Sequence, residues 1–359
     1  MELKANLVDS IIDEYHVTVD ATRPAKLQTS LSKDTRIFSV ENANENTYLI
    51  DTPMARAIAC YPHVVGDDLE KLAYEAAERS FQPILELAGV DLSSNRSAVV
   101  FEQILRAAPG YQLHRVAEKF IPGSFRTVYV RPRYTHTSYR DHDGMVQRQL
   151  NIVYEDFSKL PRGKSISLIM QDTVASSLSA EISLEATVNQ CKRAGSTIDK
   201  LIVYGFISLE GLKLLETLVK RHGITLIAFA MGNLTALCAN KYDMPLYGVD
   251  EWLWQRTRTI NKLGGLADRL TFDEYLKQFI PGADQPGDWS ARQSRLFTGN
   301  DYEDGDIAHH IENSVRLIKS LLTIGTLADW QIELANKELN ALQEELPRWK
   351  NRETKPHSA

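Results

Sequence analysis

Five short apolar runs alternate with amphipathic stretches between residues 95 and 250. The runs cover residues 98–101, 127–130, 165–170, 201–205 and 225–229. Apolar residues recur at helical spacing between the third and fourth runs, and again between the fourth and fifth. Short, continuously apolar runs indicate strands that are buried on both faces, and the helices between them cover the sheet. We therefore predict an α/β fold class: a parallel twisted sheet with helices on both faces.

The two ends of the chain have different patterns. Residues 1–60 are polar and mixed, and we interpret them as an N-terminal arm whose segments 22–24 and 41–46 are loops. A helix is predicted over residues 67–88, where the core begins. After residue 250 the pattern becomes mixed, and the tail then predicts two helices that are separated at Gly325, the second ending at Pro347. The predicted domains are an arm (1–60), an α/β core (61–250) and a C-terminal mixed and helical extension (251–359).

Composition narrows the classes of partner. The 359 residues include 41 basic and 47 acidic side chains, a net charge of −6, which argues against nucleic acid or an anionic membrane as the partner. Cys60, Cys191 and Cys238 form no CxxC pair, so a disulfide framework is not expected and a reducing, cytoplasmic compartment is predicted. No window of 18 uncharged apolar residues occurs, so no membrane span is expected.

The stretch from residue 165 to 194 has the most informative pattern. An apolar strand ends at Gln171-Asp172, a loop of small and hydroxyl residues follows at 173–177, and a helix comes next. Such a loop presents backbone N–H groups at a helix N-terminus, where the helix dipole favours a phosphate. An acidic residue at the end of the strand could hold sugar hydroxyls. The alternative is that the serines only cap an ordinary crossover helix.

Five segments, which follow one another as in the family, resemble the type I phosphoribosyltransferases, in particular the uracil phosphoribosyltransferase branch. Residues 171–179 (QDTVASSLS) are similar to the phosphate loop of that family. Residues 104–110 (ILRAAPG) resemble its pyrophosphate loop, and residues 130–135 (VRPRYT) resemble the segment whose arginine meets the pyrophosphate. Residues 207–212 are similar to the next strand-to-helix turn, and residues 240–248 resemble the loop that closes over the base.

The resemblance implies a function and a set of site residues. It implies binding of 5-phosphoribosyl pyrophosphate or a nucleotide, with Mg²⁺, transfer of the phosphoribosyl group to a base as in pyrimidine salvage, and a homodimer. No metal-ligating residue is implied. The implied residues are Arg106 and Arg131 for pyrophosphate, Asp172 for the ribose hydroxyls, Ala175, Ser176, Ser177 and Ser179 for the 5′-phosphate, and Met244, Tyr247, Gly248 and Asp250 for the base.

Several positions differ from the family pattern and support a second hypothesis. Gln171 stands where the family has its first acidic residue, Ser177 and Leu178 replace two loop glycines, and Ala108 replaces another glycine. Leucine is disfavoured at positive φ, which a phosphate loop often requires. The alternative to an active transferase is therefore a non-catalytic, phosphoribosyltransferase-like domain that senses a nucleotide or holds a partner through its helical tail.

Other candidate residues have simpler interpretations beside the functional ones. Residues 129–142 gather arginines and histidines among aromatic residues, and could grip pyrophosphate or form a solvated hairpin. The pair His309-His310 is adjacent in sequence, so it is expected on the surface rather than at a metal, whose ligands must share one face. Cys191 and Cys238 fall in helical stretches and are expected to be packing residues.

Overall fold

A computed structural model describes residues 5–41, 46–92, 97–134 and 150–353. The helices are α1 (Ala5–Tyr15), α2 (Pro53–Cys60), α3 (Gly66–Leu87), α4 (Leu113–Phe120), α5 (Leu178–Arg193), α6 (Leu209–His222), α7 (Glu251–Thr257), α8 (Arg269–Leu276), α9 (Ile307–Ile324) and α10 (Asp329–Glu353). The strands are β1 (Thr22–Pro24), β2 (Arg36–Val40), β3 (Thr47–Asp51), β4 (Ser97–Ile104), β5 (Arg126–Tyr134), β6 (Leu150–Asp156), β7 (Ser165–Gln171), β8 (Thr197–Ser208), β9 (Thr225–Thr235), β10 (Tyr247–Val249), β11 (Lys262–Gly264), β12 (Arg295–Phe297) and β13 (Tyr302–Asp304).

One large sheet organises the described part of the chain. Its strand order is β1-β2-β3-β9-β8-β7-β4-β5-β6. Every neighbouring pair from β3 to β5 is parallel, whereas β1, β2 and β6 pair antiparallel at the two edges. The predicted α/β fold class is thus confirmed, including the parallel pairing of the strands at 165–170 and 201–205.

Both faces of the sheet are apolar because successive side chains point to opposite sides. In β8, Ile202, Tyr204 and Phe206 face one layer, while Leu201 and Val203 face the other. The second layer consists mainly of α5 and α6, and the first of α2, α3, α4 and the C-terminal helices. Two-sided burial explains why these strands are continuous apolar runs in the sequence.

The N-terminal segment is more than an arm, and that expectation was wrong. Strands β2 and β3 extend the main sheet beyond β9, and residues 22–24, expected as a loop, form β1 at its edge. Ion pairs hold this edge, because the buried Asp51 carboxylate accepts hydrogen bonds from Arg36 and Arg56. Most of residues 41–46, the other expected loop, lie outside the described residues. The domain boundaries at residues 60 and 250 stay predictions.

The C-terminal helices complete the first layer. Ile311, Ile318 and Leu342 are fully buried in the same core cluster as the sheet, so the apolar stripes of α9 and α10 are used within the chain. The predicted break at Gly325 is confirmed, but the predicted end at Pro347 is wrong, since α10 continues to Glu353. Beyond the proline, Trp349 packs closely on Gly66, which anchors the last turns.

Among the described residues, no helix is both long and apolar enough to cross a membrane. Large apolar side chains that stay exposed are spread over the chain, among them Phe120, Leu214 and Ile260. The three cysteines are buried, and burial raises the pKa of each thiol. They are therefore packing residues, as expected for Cys191 and Cys238, although Cys238 follows β9 and does not lie in a helix as predicted.

Candidate functional site

The loop between β7 and α5 is held firmly against the neighbouring strand. The Val174 N–H donates to the Phe206 carbonyl at 2.8 Å, and the Ser208 N–H donates to the Val174 carbonyl at 2.9 Å. Gly211 lets α6 approach this loop, because a Cβ there would lie 2.5 Å from the Ala175 carbonyl oxygen. Hydrogen bonds to β8 therefore fix the backbone of the loop at this edge of the sheet.

The N-terminus of α5 lacks a capping side chain. Ser177 precedes the helix with φ of 60°, and its hydroxyl donates to the Gly211 carbonyl at 2.7 Å instead of accepting from the helix. The first N–H groups of a helix have no partner within the helix, and the helix dipole makes this end positive. Ser177 therefore does not cap α5 with its side chain, contrary to the alternative that these serines only cap a helix.

The left-handed conformation falls on Ser177 and not on Leu178. Leu178 is the first helical residue of α5, so the cost expected for a leucine at positive φ does not arise. A serine at φ 60° is uncommon but allowed, and its buried hydrogen bond to Gly211 stabilises that conformation. Ser177 and Leu178 therefore both adopt conformations that are allowed for their side chains.

A cavity of about 780 Å³ opens in front of this helix end, beyond the carboxyl ends of β4, β5 and β7. In parallel sheets, ligands bind at this edge. Seven of the residues implied by the resemblance line the cavity: Arg106, Arg131, Asp172, Ala175, Ser176, Ser177 and Ser179. Ser176 is half-buried in the wall, while Ser177 is turned inward.

The two arginines converge on one carboxylate. Arg106 follows β4 and Arg131 lies on β5, and the guanidinium groups of both contact Oε1 of Glu303 in β13. Arg131 Nη2 is 3.3 Å from that oxygen, and Arg131 Nη1 donates to the Thr298 carbonyl at 3.2 Å. Burial lowers the pKa of Arg131 and Glu303 raises it, yet a guanidinium stays charged in either case.

Asp172 has an unusual environment for a carboxyl group. Burial, and to a lesser degree the charge of Glu102, raise its pKa to about 8, although the Thr173 N–H acts in the opposite direction. The group therefore keeps its proton at neutral pH and can donate as well as accept a hydrogen bond. Beside it, the Tyr111 and Thr173 hydroxyls are 2.5 Å apart.

Four residues expected to hold a base are placed elsewhere, and this expectation was wrong. Met244 and Tyr247 are fully buried, and Tyr247 packs edge-on against Tyr15 and Phe272. Gly248 abuts the backbone of Gly282, and Asp250 caps α7 by accepting from the Leu253 N–H at 3.0 Å. Among the described residues, the segment 240–248 contributes only Lys241 and Tyr242 to the cavity.

The C-terminal extension forms the opposite wall, which sequence reasoning missed. The wall consists of Pro286, Gly287, Asp288, Trp289, Ser290, Ala291, Leu296, Glu303, Asp304, Asp306, His309 and Asn313. His309 faces the cavity, whereas His310 is buried with Nε2 at 2.9 Å from the Pro62 carbonyl, so the pair is not a surface pair. The acidic residues at 301–306 are evident in the sequence, but the sequence does not show which residues they lie beside in the folded chain.

The cluster at residues 129–142 is described only in part. Arg133 is exposed at the mouth of the cavity, while His136, Arg140 and His142 lie outside the described residues. No group of three or more metal-ligating side chains occurs in the portion of the chain that is described.

Neither a protein-family model nor a curated protein matches the chain. Solved structures are similar over part of it. A hypothetical protein from Neisseria gonorrhoeae with bound ppGpp has 16% identity and a TM-score of 0.29, covering 44% of this chain and 81% of that one. An adenine phosphoribosyl transferase from Trypanosoma brucei has 12% identity and a TM-score of 0.31, covering 52% and 83%. A hypoxanthine phosphoribosyltransferase from Trypanosoma cruzi has 14% identity and a TM-score of 0.27, covering 46% and 76%. Similarity at this level carries no functional conclusion for this chain.

Proposed function

We propose that the cavity binds a ligand that carries a ribose 5-phosphate group, with the phosphate at the N-terminus of α5. The observation that carries this proposal is an uncapped helix end that opens into a cavity also lined by Arg106 and Arg131. Backbone N–H groups and a positive helix dipole together favour an anion at such a position. Asp172 would contact the ribose hydroxyls, and the protonated form could donate to one of them.

Transfer of the phosphoribosyl group is the first candidate activity. In that reaction a nitrogen of the base would bond to the anomeric carbon and lose its proton to solvent, while the bond from that carbon to pyrophosphate breaks and pyrophosphate leaves. Arg106 and Arg131 would neutralise the leaving pyrophosphate, because positioning and charge stabilisation are what this chemistry asks of a protein. Mg²⁺ would enter with the diphosphate of the ligand, and the base would lie towards Tyr242 and residues 286–291.

Binding without turnover is the second candidate, and one observation favours it. Glu303 already pairs with both arginines, so the groups that would meet pyrophosphate are occupied by a carboxylate of the same chain. This supports a nucleotide-binding or sensing domain. Pyrophosphate release from phosphoribosyl pyrophosphate, measured with a panel of bases, separates the two candidates.

The binding proposal is tested by titration calorimetry with ribose 5-phosphate. Ser176→Ala removes one hydroxyl from the wall, and we expect about tenfold weaker binding, which is the effect of one hydrogen bond to a charged group. Ser176→Asp places a carboxylate where the phosphate would lie, and we expect binding to be lost. Ser124→Asp is the matched control, since it adds the same charge just before β5 begins, at the opposite edge of the sheet.

Two outcomes would contradict phosphate binding at the N-terminus of α5. If wild-type protein gives no heat with millimolar ribose 5-phosphate, or if Ser176→Asp and Ser124→Asp have equal effects, then α5 does not hold a phosphate. A loss of folding stability in Ser176→Ala of about 1 kcal/mol without any change in binding would favour a purely structural role for the loop.

A further inference from the structure

Glu303 reaches the arginines from a small hairpin in the C-terminal extension. Strands β12 and β13 pair antiparallel, and Glu303 lies opposite Leu296, which is buried at the cavity wall. The hairpin packs on β5 through one ring contact, since the centroid of Phe297 is 5.4 Å from that of Tyr129. Within the hairpin, the ring of Phe297 also packs on that of Tyr302, at 5.2 Å between centroids. The carboxylate is therefore presented by a packed element and not by a free loop.

At Gly299, the hairpin lies so close to β6, the outer strand of the sheet, that no side chain would fit there. Gly299 adopts φ of 112°, and a Cβ there would lie 2.4 Å from Cδ1 of Tyr154 in β6. The Thr298 carbonyl, next in the chain, accepts the hydrogen bond from Arg131. Two neighbouring contacts thus hold the hairpin in the position where Glu303 meets both guanidinium groups.

The ion pairs remain within reach of a ligand. The side chains of Arg106, Arg131 and Glu303 are 34%, 23% and 40% exposed. A partly exposed ion pair is worth little by itself, so an anion can compete with the carboxylate. The Glu303 carboxylate makes the net free energy of binding of an anion at the two arginines less favourable.

The charges around the cavity are balanced once Glu303 is included. Among the described lining residues, the basic side chains are Arg106, Arg131, Arg133 and Lys241, and the acidic ones besides Asp172 are Asp288, Glu303, Asp304 and Asp306. Lys241 is itself paired with Glu210 at 2.8 Å. A diphosphate at the arginines would therefore meet a near-neutral wall, whereas a single phosphate at α5 would leave the Glu303 ion pairs unbroken.

We propose, on the basis of the proposed function, that Glu303 is a specificity-determining residue. It competes with a diphosphate group for Arg106 and Arg131, so the cavity takes ligands that carry one phosphate, such as nucleoside 5′-monophosphates, in preference to ligands that also carry a diphosphate. This preference favours the second candidate of the proposed function, binding without turnover, over the transfer reaction. Glu303→Gln keeps the shape of the side chain and removes its charge, and thereby frees the arginines for a diphosphate.

The test is titration calorimetry at fixed ionic strength with two probes, ribose 5-phosphate and inorganic pyrophosphate, each with and without Mg²⁺. We expect wild-type protein to bind pyrophosphate at least about tenfold more weakly than ribose 5-phosphate. Glu303→Gln should strengthen pyrophosphate binding by about tenfold, which is the effect of one competing charge near the surface, and ribose 5-phosphate binding by less than about twofold.

Asp304→Asn is the matched control, because it removes the same charge from the neighbouring position of the same hairpin. Equal gains in pyrophosphate affinity for Asp304→Asn and Glu303→Gln would overturn the proposal, as the effect would then be one of general charge. So would wild-type protein that binds both probes equally, or Glu303→Gln protein that still fails to bind pyrophosphate. Melting temperatures of both variants report whether the hairpin stays folded, and Glu303→Ala provides a second variant.

The proposed function and this inference fail in different ways. If ribose 5-phosphate binds to no variant while pyrophosphate affinity still rises in Glu303→Gln, then the phosphate site at α5 is refuted and the role of Glu303 at the arginines stands. If ribose 5-phosphate binds but Glu303→Gln changes neither affinity, then the phosphate site stands and the specificity role is refuted.

Discussion

Arg292 provides the sharpest test of how the extension is attached to the cavity. Its side chain is fully buried, and burial lowers its pKa to about 10, so the guanidinium is still charged at neutral pH. It donates to the carbonyls of Ile58, Tyr61, Val64 and Pro286 at 2.8–3.2 Å. A cation at the C-terminal end of α2 also complements the helix dipole there.

Replacing this residue by methionine keeps much of the volume and removes every donor. Each of the four buried carbonyls would lose a partner, at about 1–3 kcal/mol each when measured alone. Because such losses are not additive, we expect Arg292→Met to lower the free energy of unfolding by about 4 kcal/mol or more, a large part of the 5–15 kcal/mol typical of a folded domain. Arg292→Lys should recover part of this loss, since an ammonium group still offers three donors.

The assay is urea denaturation followed by circular dichroism. Arg295→Met is the matched control, because Arg295 is exposed and stacks on the exposed Tyr302, so its loss should change stability by less than about 0.5 kcal/mol. Residues 286–291 line the cavity, so we also expect Arg292→Met to weaken ribose 5-phosphate binding. A stability loss below about 1 kcal/mol, or one equal to that of Arg295→Met, would refute the reasoning.

Three further predictions concern the loop before α5, the Asp172 carboxyl group and self-association of the chain. Gly211→Ala should lower the free energy of unfolding by about 1–3 kcal/mol and weaken phosphate binding, because its Cβ would lie 2.5 Å from the Ala175 carbonyl oxygen. Urea titration measures the first effect and calorimetry the second, with Leu214→Ala on the exposed face of α6 as the control. The folded-state pKa of Asp172 is raised from 3.8 to about 8, so the folded state binds more protons and wild-type stability should fall as pH rises from about 4 to 8. Asp172→Asn should lack that part of the fall, and parallel pH dependences of unfolding for the two proteins would contradict it. The stripes of α9 and α10 are buried within the chain, so they offer no surface for self-association. The homodimer that the resemblance implies stays a prediction; light scattering at micromolar concentration tests it, and a monomer mass would count against it.

Local patterns in the sequence predicted the centre of the fold because period and polarity report burial directly. Strands β4, β5, β7, β8 and β9 all coincide with apolar runs, and α5 and α6 coincide with the helical stretches between them. The edges were harder to predict. Strands β1 to β3 are short and mixed in polarity, so only their pairing with β9 identifies them as part of the sheet.

The candidate site shows the same division. Parallel strands bring their carboxyl ends to one edge, so the alternation of strands and helices predicted that the loops after the strands lie together. That Arg106, Arg131 and Asp172 are site residues there was implied by the family resemblance, and all three line the cavity with the loop of α5. Met244 and Tyr247 were predicted beside them, but the apolar side chains of that segment turn into the core of the first layer, where burial is more favourable.

By itself, the sequence determined the five central strands of the sheet, which loop precedes α5 and which edge holds the cavity, since each depends on spacing within one or two elements. Only the tertiary structure decided what faces that edge. Glu303 lies 197 positions from Arg106 and 172 from Arg131, and their contact depends on how the extension folds back over the sheet. No local periodicity encodes such a contact, because the ion pair arises only after the packing of the hairpin on β5 and the hydrogen bonds of Arg292 have placed the extension.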